Sequence, residues 1–228
     1  MGRKGLQLIF RDTIPVMTGY LFLGFGFGIL LDQNGYGLLW AVAMSLFIYA
    51  GSMQYVAVGL MTGGAGLLTT ALTTLMVNAR HLFYGISMVD AYKGAGTKKP
   101  YLIFALTDET YSLVSQGRTT GGFSRHRYCF LVSLFNQAYW VAGSALGSLA
   151  GRLIPINYEG IDFVLTALFV TIFVEQWLST KDHRPALVGV AASAVCLLIF
   201  GADLFLIPAM ALIAGILMAL REKEEAHA

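Results

Sequence analysis

Apolar residues run along this chain in long unbroken stretches. About 13–31, 38–61, 128–150, 160–180, 186–202 and 204–220 each read as one membrane-crossing segment. A helix needs roughly 20 apolar residues to cross the bilayer core. The last two stretches are short and are divided by Gly201-Ala202-Asp203, with Pro208 close behind. Two further stretches are apolar but interrupted. Leu67–Val89 contains Asn78-Ala79-Arg80-His81, and Tyr101–Gln116, only 16 residues long, contains Thr107-Asp108-Glu109. A β-barrel would show segments of about 10 alternating residues. These runs do not alternate. The pattern predicts an all-α, polytopic transmembrane helical bundle with interrupted or re-entrant segments, one integral membrane domain over 1–228.

Composition agrees with the pattern. The 228 residues are 57% hydrophobic and 12% charged, against about 25% charged in ordinary globular domains. A soluble core could not hide that much apolar surface. The first segment, with Pro15 and Gly24, Gly26 and Gly28, reads as a membrane span and not as a removed signal peptide. Cys129 and Cys196 lie in apolar segments and fit neither a disulfide framework nor a zinc site.

The positions of the basic residues bear on topology, because Lys and Arg concentrate on the cytoplasmic side. With a cytoplasmic N-terminus, both interrupted segments admit two descriptions. If both cross fully, Lys93, Lys98 and Lys99 lie outside. The split is then 10 basic residues inside and 4 outside. If both return to the side they entered, 13 of the 15 basic residues lie inside, Arg152 lies outside and Arg80 lies in the membrane. The charge rule favours the second description. Both keep the two termini cytoplasmic.

Four polar groupings stand in apolar surroundings: Gly51-Ser52-Met53-Gln54; Asn78, Arg80, His81 and Tyr84; Thr107, Asp108, Glu109 and Tyr111; and, more weakly, Asn136-Gln137. A charge at the bilayer centre costs about 2.5–3.5 kcal/mol on insertion scales, so it faces protein or water and usually has a partner. The candidate partner of Arg80 is Asp108 or Glu109. Irregular backbone at membrane depth survives only where it lines a cavity or is buried in protein, and paired interruptions point to a transport site. The chemistry that fits is the handling of a zwitterion. A guanidinium can grip a carboxylate with two parallel bonds, and a carboxylate can take an ammonium. Ser52, Gln54, Asn78, Arg80, Tyr84, Asp108, Glu109 and Tyr111 are therefore the candidate substrate-binding residues. His81, Asp108 and Glu109 are candidates for carrying a coupling proton. A small carboxylate or an ion would use similar parts.

Small residues recur every fourth position at Gly24 and Gly28, at Gly59 and Gly63, and at Gly143, Gly147 and Gly151. Such faces let helix backbones approach closely. Asn136 and Gln137 read as helix-joining amides, Trp140 as core, and Glu175 and Gln176 as a segment end near Lys181. No Gly-x-Ser-x-Gly elbow or His-Glu-x-x-His pair is present, so enzyme chemistry has little support, and no metal or cofactor is expected. No basic domain suggests nucleic-acid binding, and no phosphate-loop motif suggests ATP.

The runs Ala50-Gly51-Ser52-Met53-Gln54, Asn78-Ala79-Arg80-His81 with Tyr84, and Leu106-Thr107-Asp108-Glu109 with Tyr111 resemble the large subunit of the AzlC-type branched-chain amino acid permease family. The layout matches from about Arg11 to Leu220. The resemblance implies a multi-pass transporter of the bacterial cytoplasmic (inner) membrane. Its implied role is export of valine, leucine, isoleucine and methionine, with an AzlD-type small membrane subunit as partner. It carries no residue roles, so those of Arg80, Asp108 and Glu109 rest on the physical argument. The competing readings are a channel or scaffold with a structural polar cluster, and a membrane enzyme using Asp108 and His81.

Overall fold

The computed structural model describes residues 3–115, 124–153 and 182–225, and between the last two ranges 163, 166, 167, 170, 173, 174, 177, 178 and 180. The described residues are helical, with no strand among them. The chain divides into two compact units, Met1–Leu165 and Thr166–Ala228.

The first unit is organised on two long helices, α1 (Arg3–Gln33) and α8 (Arg125–Leu153). Both have the length and apolar content to cross a bilayer. They lie side by side and run parallel. The Tyr128 hydroxyl donates to Asp12 near their starts, the Thr13 and Tyr139 hydroxyls meet at 3.1 Å, and Arg152 pairs with Asp32 at 2.7 Å near their ends. The glycines explain the close approach. A Cβ on Gly28 would fall onto the Ser144 carbonyl oxygen, and one on Gly147 onto the Phe25 carbonyl oxygen. Gly24 and Gly143 meet backbone of the opposite helix in the same way. The expected packing role of these faces therefore holds, whereas that of Gly59 and Gly63 does not. Among the described residues, a Cβ on Gly59 meets nothing within 4 Å, and one on Gly63 meets only the Gly59 carbonyl of its own helix.

Between α1 and α8 the chain makes three pairs of short helices, each pair separated by a break. The first pair is α2 (Leu38–Phe47) and α3 (Gly51–Thr62). The sequence pattern predicts one continuous span over 38–61. Instead Tyr49 takes φ 44°, alone among described non-glycine residues in having positive φ. Its amide turns back to the Met44 carbonyl at 3.1 Å, and α3 starts afresh after Ala50.

The second pair is α4 (Leu67–Val77) and α5 (Ala79–Met88), broken at Asn78 as the sequence suggests. The Asn78 carbonyl turns to the His81 amide at 2.9 Å, a tighter turn than a continuing α-helix allows. The third pair is α6 (Lys99–Phe104) and α7 (Asp108–Val114). Here Thr107 is extended and caps α7, its hydroxyl accepting the Thr110 amide at 3.3 Å. Such a cap satisfies one of the four amides left open at a helix start. From Lys99 to Val114 the pair is about 24 Å long even if fully helical, short of the roughly 30 Å bilayer core.

Trp140 sits in the core between these helices, as expected, with 3% exposure. Its indole packs edge-on against Tyr20 at 5.4 Å and donates to the Gln54 amide oxygen at 2.9 Å. A Cβ on Gly51 would stand 3.0 Å from the same ring, which accounts for a glycine there.

The second unit contains α9 (Arg184–Leu204) and α10 (Leu206–Glu225), which pack together. Gly201, at the predicted division, takes φ 72° and kinks the end of α9, a conformation glycine adopts without steric cost. The predicted span 160–180 lies largely outside the described residues, as do Glu175, Gln176 and Lys181. Cys129 and Cys196 are buried free thiols.

Candidate functional site

Three of the four polar groupings converge, because each sits at the start of a helix that follows a break. Ser52 is the second residue of α3, Arg80 the second of α5 and Asp108 the first of α7. The Arg80 Nη1 lies 2.6 Å from Asp108 Oδ2, and its Nη2 donates to Ser52 Oγ at 2.8 Å. Ser52 and Asp108, each 28 positions from Arg80 in sequence, are thus joined through one guanidinium. Of the two candidate partners, Asp108 is the one Arg80 takes.

The pair is single-pronged. Arg80 Nε, Asp108 Oδ1 and Asn78 Oδ1 are all buried and have no hydrogen-bond partner among the described residues. A fully engaged guanidinium–carboxylate pair would use two parallel bonds. Here one donor and two acceptors stay open in a site whose Arg80 and Asp108 side chains keep 30% and 23% exposure. Buried polar atoms are nearly always paired, so three open ones around a single contact call for an explanation. The aromatic residues close one side. Tyr84 and Tyr111 stack at 4.6 Å, the Tyr84 hydroxyl faces Asp108, and Ser87 donates to the Tyr111 hydroxyl at 3.2 Å. His81 packs edge-on against Tyr84, and its Nδ1 lies 3.2 Å from the Asn78 carbonyl.

Glu109 faces elsewhere. Its Oε2 accepts from the Tyr20 hydroxyl at 2.6 Å. Gln54 also turns away from Arg80. It is fully buried and held by Trp140, with Ser45 more distant at 3.5 Å. Asn136 donates to Thr110 at 3.0 Å, and Gln137 joins Tyr101 at 2.7 Å to the Leu46 carbonyl. These last two amides do the helix-joining work expected of them, worth about 0.6 kcal/mol each on average. Nothing in the sequence pattern singles out Tyr20 or Thr110, whereas Tyr49 stands beside the Gly51-Ser52-Met53-Gln54 grouping. In the sequence Tyr20 looks like one aromatic residue among many in an apolar run.

A cavity of about 380 Å³ opens among α2, α3 and α4, lined by Met44, Ile48, Met53, Ala57, Leu60 and Met61 with Trp40, Ala65, Thr70 and Thr74. Met53 follows Ser52 directly on α3.

Broken apolar helices around a paired intramembrane charge, beside long spanning helices, define a multi-pass helical membrane protein. The profile described as AzlC protein matches residues 15–154, and the chain belongs to the AzlC family. It is 45% identical over 216 residues to the "Branched-chain amino acid transport protein AzlC" of Bacillus subtilis, covering 95% of this chain and 85% of that one. It is 40% identical to an uncharacterized membrane protein of Helicobacter pylori, covering 97% of each chain. It is 27% identical to the Escherichia coli inner membrane protein YgaZ, covering 90% and 84%. No solved structure matches the chain.

Proposed function

We propose that this protein is a secondary transporter that exports branched-chain amino acids across the bacterial cytoplasmic membrane, with residues 1–228 acting as one transport domain. The observation that carries the reading is the set of open atoms at the Arg80–Asp108 pair. One guanidinium donor and two oxygen acceptors are the complement of an α-amino acid. The substrate carboxylate would take Arg80 Nε and Nη2, and the ammonium would take Asp108 Oδ1 and Asn78 Oδ1. Ser52 and Tyr84 would orient the two charged groups, and the Tyr111 ring would back Tyr84. The cavity lined by Met44, Met53 and Met61 would hold an aliphatic or thioether side chain. Valine, leucine, isoleucine and methionine fit that description. Support also comes from the printed name of the Bacillus relative. Direction rests on the family resemblance alone. With no nucleotide-binding motif in the sequence, the energy source is an ion gradient.

The test is efflux of labelled valine from preloaded cells with and without this chain. Efflux should rise severalfold when the chain is present. A chemically altered product would indicate an enzyme, and unchanged flux together with a tolerated Asp108→Asn would indicate a structural cluster.

Two expectations accompany the reading. The first concerns an AzlD-type small helical subunit. The purified chain alone in liposomes should show little valine efflux, and adding the small subunit should restore it. Full efflux from the single chain would contradict this. The Gly59 face, which meets nothing within 4 Å, is consistent with such a need. The second concerns topology. The loop around Lys93–Lys99 should be cytoplasmic. Thr97 is exposed, so a Thr97→Cys variant of intact cells should resist an impermeant thiol reagent added outside and react after permeabilisation. Labelling from outside would mean that both interrupted pairs cross fully.

A further inference from the structure

We propose that Glu109 binds the coupling proton, and that Tyr20, Thr107 and Thr110 form a hydrogen-bonded relay whose direction reports whether Glu109 carries it. The proposal rests on the transport reading above and deepens it by separating two adjacent acids. Asp108 is committed to Arg80, while Glu109 makes no salt bridge among the described residues and its carboxylate accepts from the Tyr20 hydroxyl. The charged and titratable groups around Glu109 are Tyr20 on α1, Tyr49 in the α2–α3 break, Arg80 and Tyr84 on α5, and Asp108 beside it. His81, the remaining candidate, has its Nδ1 against the Asn78 carbonyl, so that nitrogen must carry a hydrogen to make the bond.

The relay can be read atom by atom. Tyr20 lies 2.6 Å from both Glu109 Oε2 and Thr107 Oγ1. Thr107 Oγ1 is placed to donate to Thr110 Oγ1 at 3.0 Å, and Thr110 Oγ1 accepts from Asn136 Nδ2 on α8 at 3.0 Å. Each hydroxyl has one proton to donate. With Glu109 ionised, Tyr20 donates to the carboxylate and can only accept from Thr107, so Thr107 cannot donate to Thr110. With Glu109 protonated, the acid donates to Tyr20, Tyr20 to Thr107, and Thr107 to Thr110. Binding one proton therefore reverses the two contacts that tie α7 to α1 and lets Thr107 donate to Thr110 within α7. The only bond that forms is one O–H on Glu109, made with a proton from the external water. It breaks when that proton is released to the cytoplasmic water, and the amino acid moves the opposite way.

Tyr49 supplies an independent observation. Its hydroxyl is buried beside Tyr20 and Thr110, and no hydrogen bond of good geometry joins it to another described residue. The backbone that puts it there is held at φ 44°, a conformation that costs about 1–3 kcal/mol and clusters at functional sites. A buried donor kept beside a reversible relay, at the expense of backbone strain, is placed to engage in one protonation state and release in the other.

The test uses the full chain with its small partner in proteoliposomes, comparing wild type, Glu109→Gln, Glu109→Asp, Tyr20→Phe and Asp108→Asn. Two rates are read: valine–valine exchange with no gradient, and valine movement driven by a proton gradient. Glu109→Gln should keep exchange within about threefold, lose driven movement, and show exchange that no longer varies with pH. Asp108→Asn should lose both rates. Hydrogen bonds to charged groups are worth roughly tenfold or more in an equilibrium, so Tyr20→Phe should move the pH midpoint of driven transport by about one unit. Driven, pH-dependent movement retained in Glu109→Gln would overturn the proposal, as would loss of exchange in a folded Glu109→Gln. If Glu109→Gln does not fold, Glu109→Asp and Tyr20→Phe decide. A changed pH profile supports the relay, and an unchanged one overturns it. Absence of exchange in the wild type would sink the transport reading itself, and the proposal with it.

Discussion

Replacing Arg80 with alanine should abolish amino acid transport while leaving a good part of the protein folded. The guanidinium touches both Asp108 and Ser52, so its loss separates α3, α5 and α7 at their first turns. Removing one partner of a fully buried pair typically costs about 3–5 kcal/mol. Arg80 and Asp108 keep 30% and 23% exposure, so the loss of stability should fall below that range. Arg80→Lys separates charge from geometry. Lysine keeps the positive charge but presents no planar fork. If the fork grips a substrate carboxylate, Arg80→Lys should transport at least about tenfold more slowly, equivalent to one hydrogen bond to a charged group. Equal rates for Arg80→Lys and wild type would show that only the charge matters. The check is valine flux normalised to the folded protein recovered from membranes.

The second large effect should come from a methyl group. Gly28→Ala and Gly147→Ala each place a Cβ onto a carbonyl oxygen of the facing helix, an atom that cannot swing aside as a side chain can. Overpacking of this kind typically costs about 1–3 kcal/mol. For a domain of this size each kcal/mol corresponds to roughly 2–4 °C in Tm. Thermal unfolding of the detergent-solubilised protein should therefore move down by several degrees for either variant and hardly at all for Gly59→Ala, whose new methyl meets nothing. Equal shifts in all three would mean that the α1–α8 contact is not the tight one.

The long helices and two of the three breaks were legible in the sequence, because their signals are chemically loud. Arg80 and Asp108 interrupt apolar runs with charge, and a charge in a membrane must find a partner. The Gly28 and Gly147 faces were legible from spacing alone. The break at Tyr49 was not. Ile48-Tyr49-Ala50 holds no proline or glycine, and a tyrosine in the left-handed region is imposed by tertiary packing, which no local pattern records. The same limit hid the division between the two acids. Side by side on α7, Asp108 and Glu109 look interchangeable. Asp108 meets α5 while Glu109 meets α1, and only the packing of those helices decides which acid meets Arg80. Gln54, a candidate binding residue from its neighbours, instead anchors Trp140.

The central claim is that the open atoms around Arg80 and Asp108 recognise both charged groups of an amino acid. Competition against labelled valine, measured on the purified protein together with the proposed small subunit, tests it most directly. Leucine should compete at concentrations similar to valine. Isovalerate, which lacks the ammonium, and isobutylamine, which lacks the carboxylate, should each bind at least about tenfold more weakly, the loss expected when one charge-assisted hydrogen bond is left unmade. Isovalerate competing as well as valine would contradict the account, because Asp108 Oδ1 and Asn78 Oδ1 would then have no ammonium to hold.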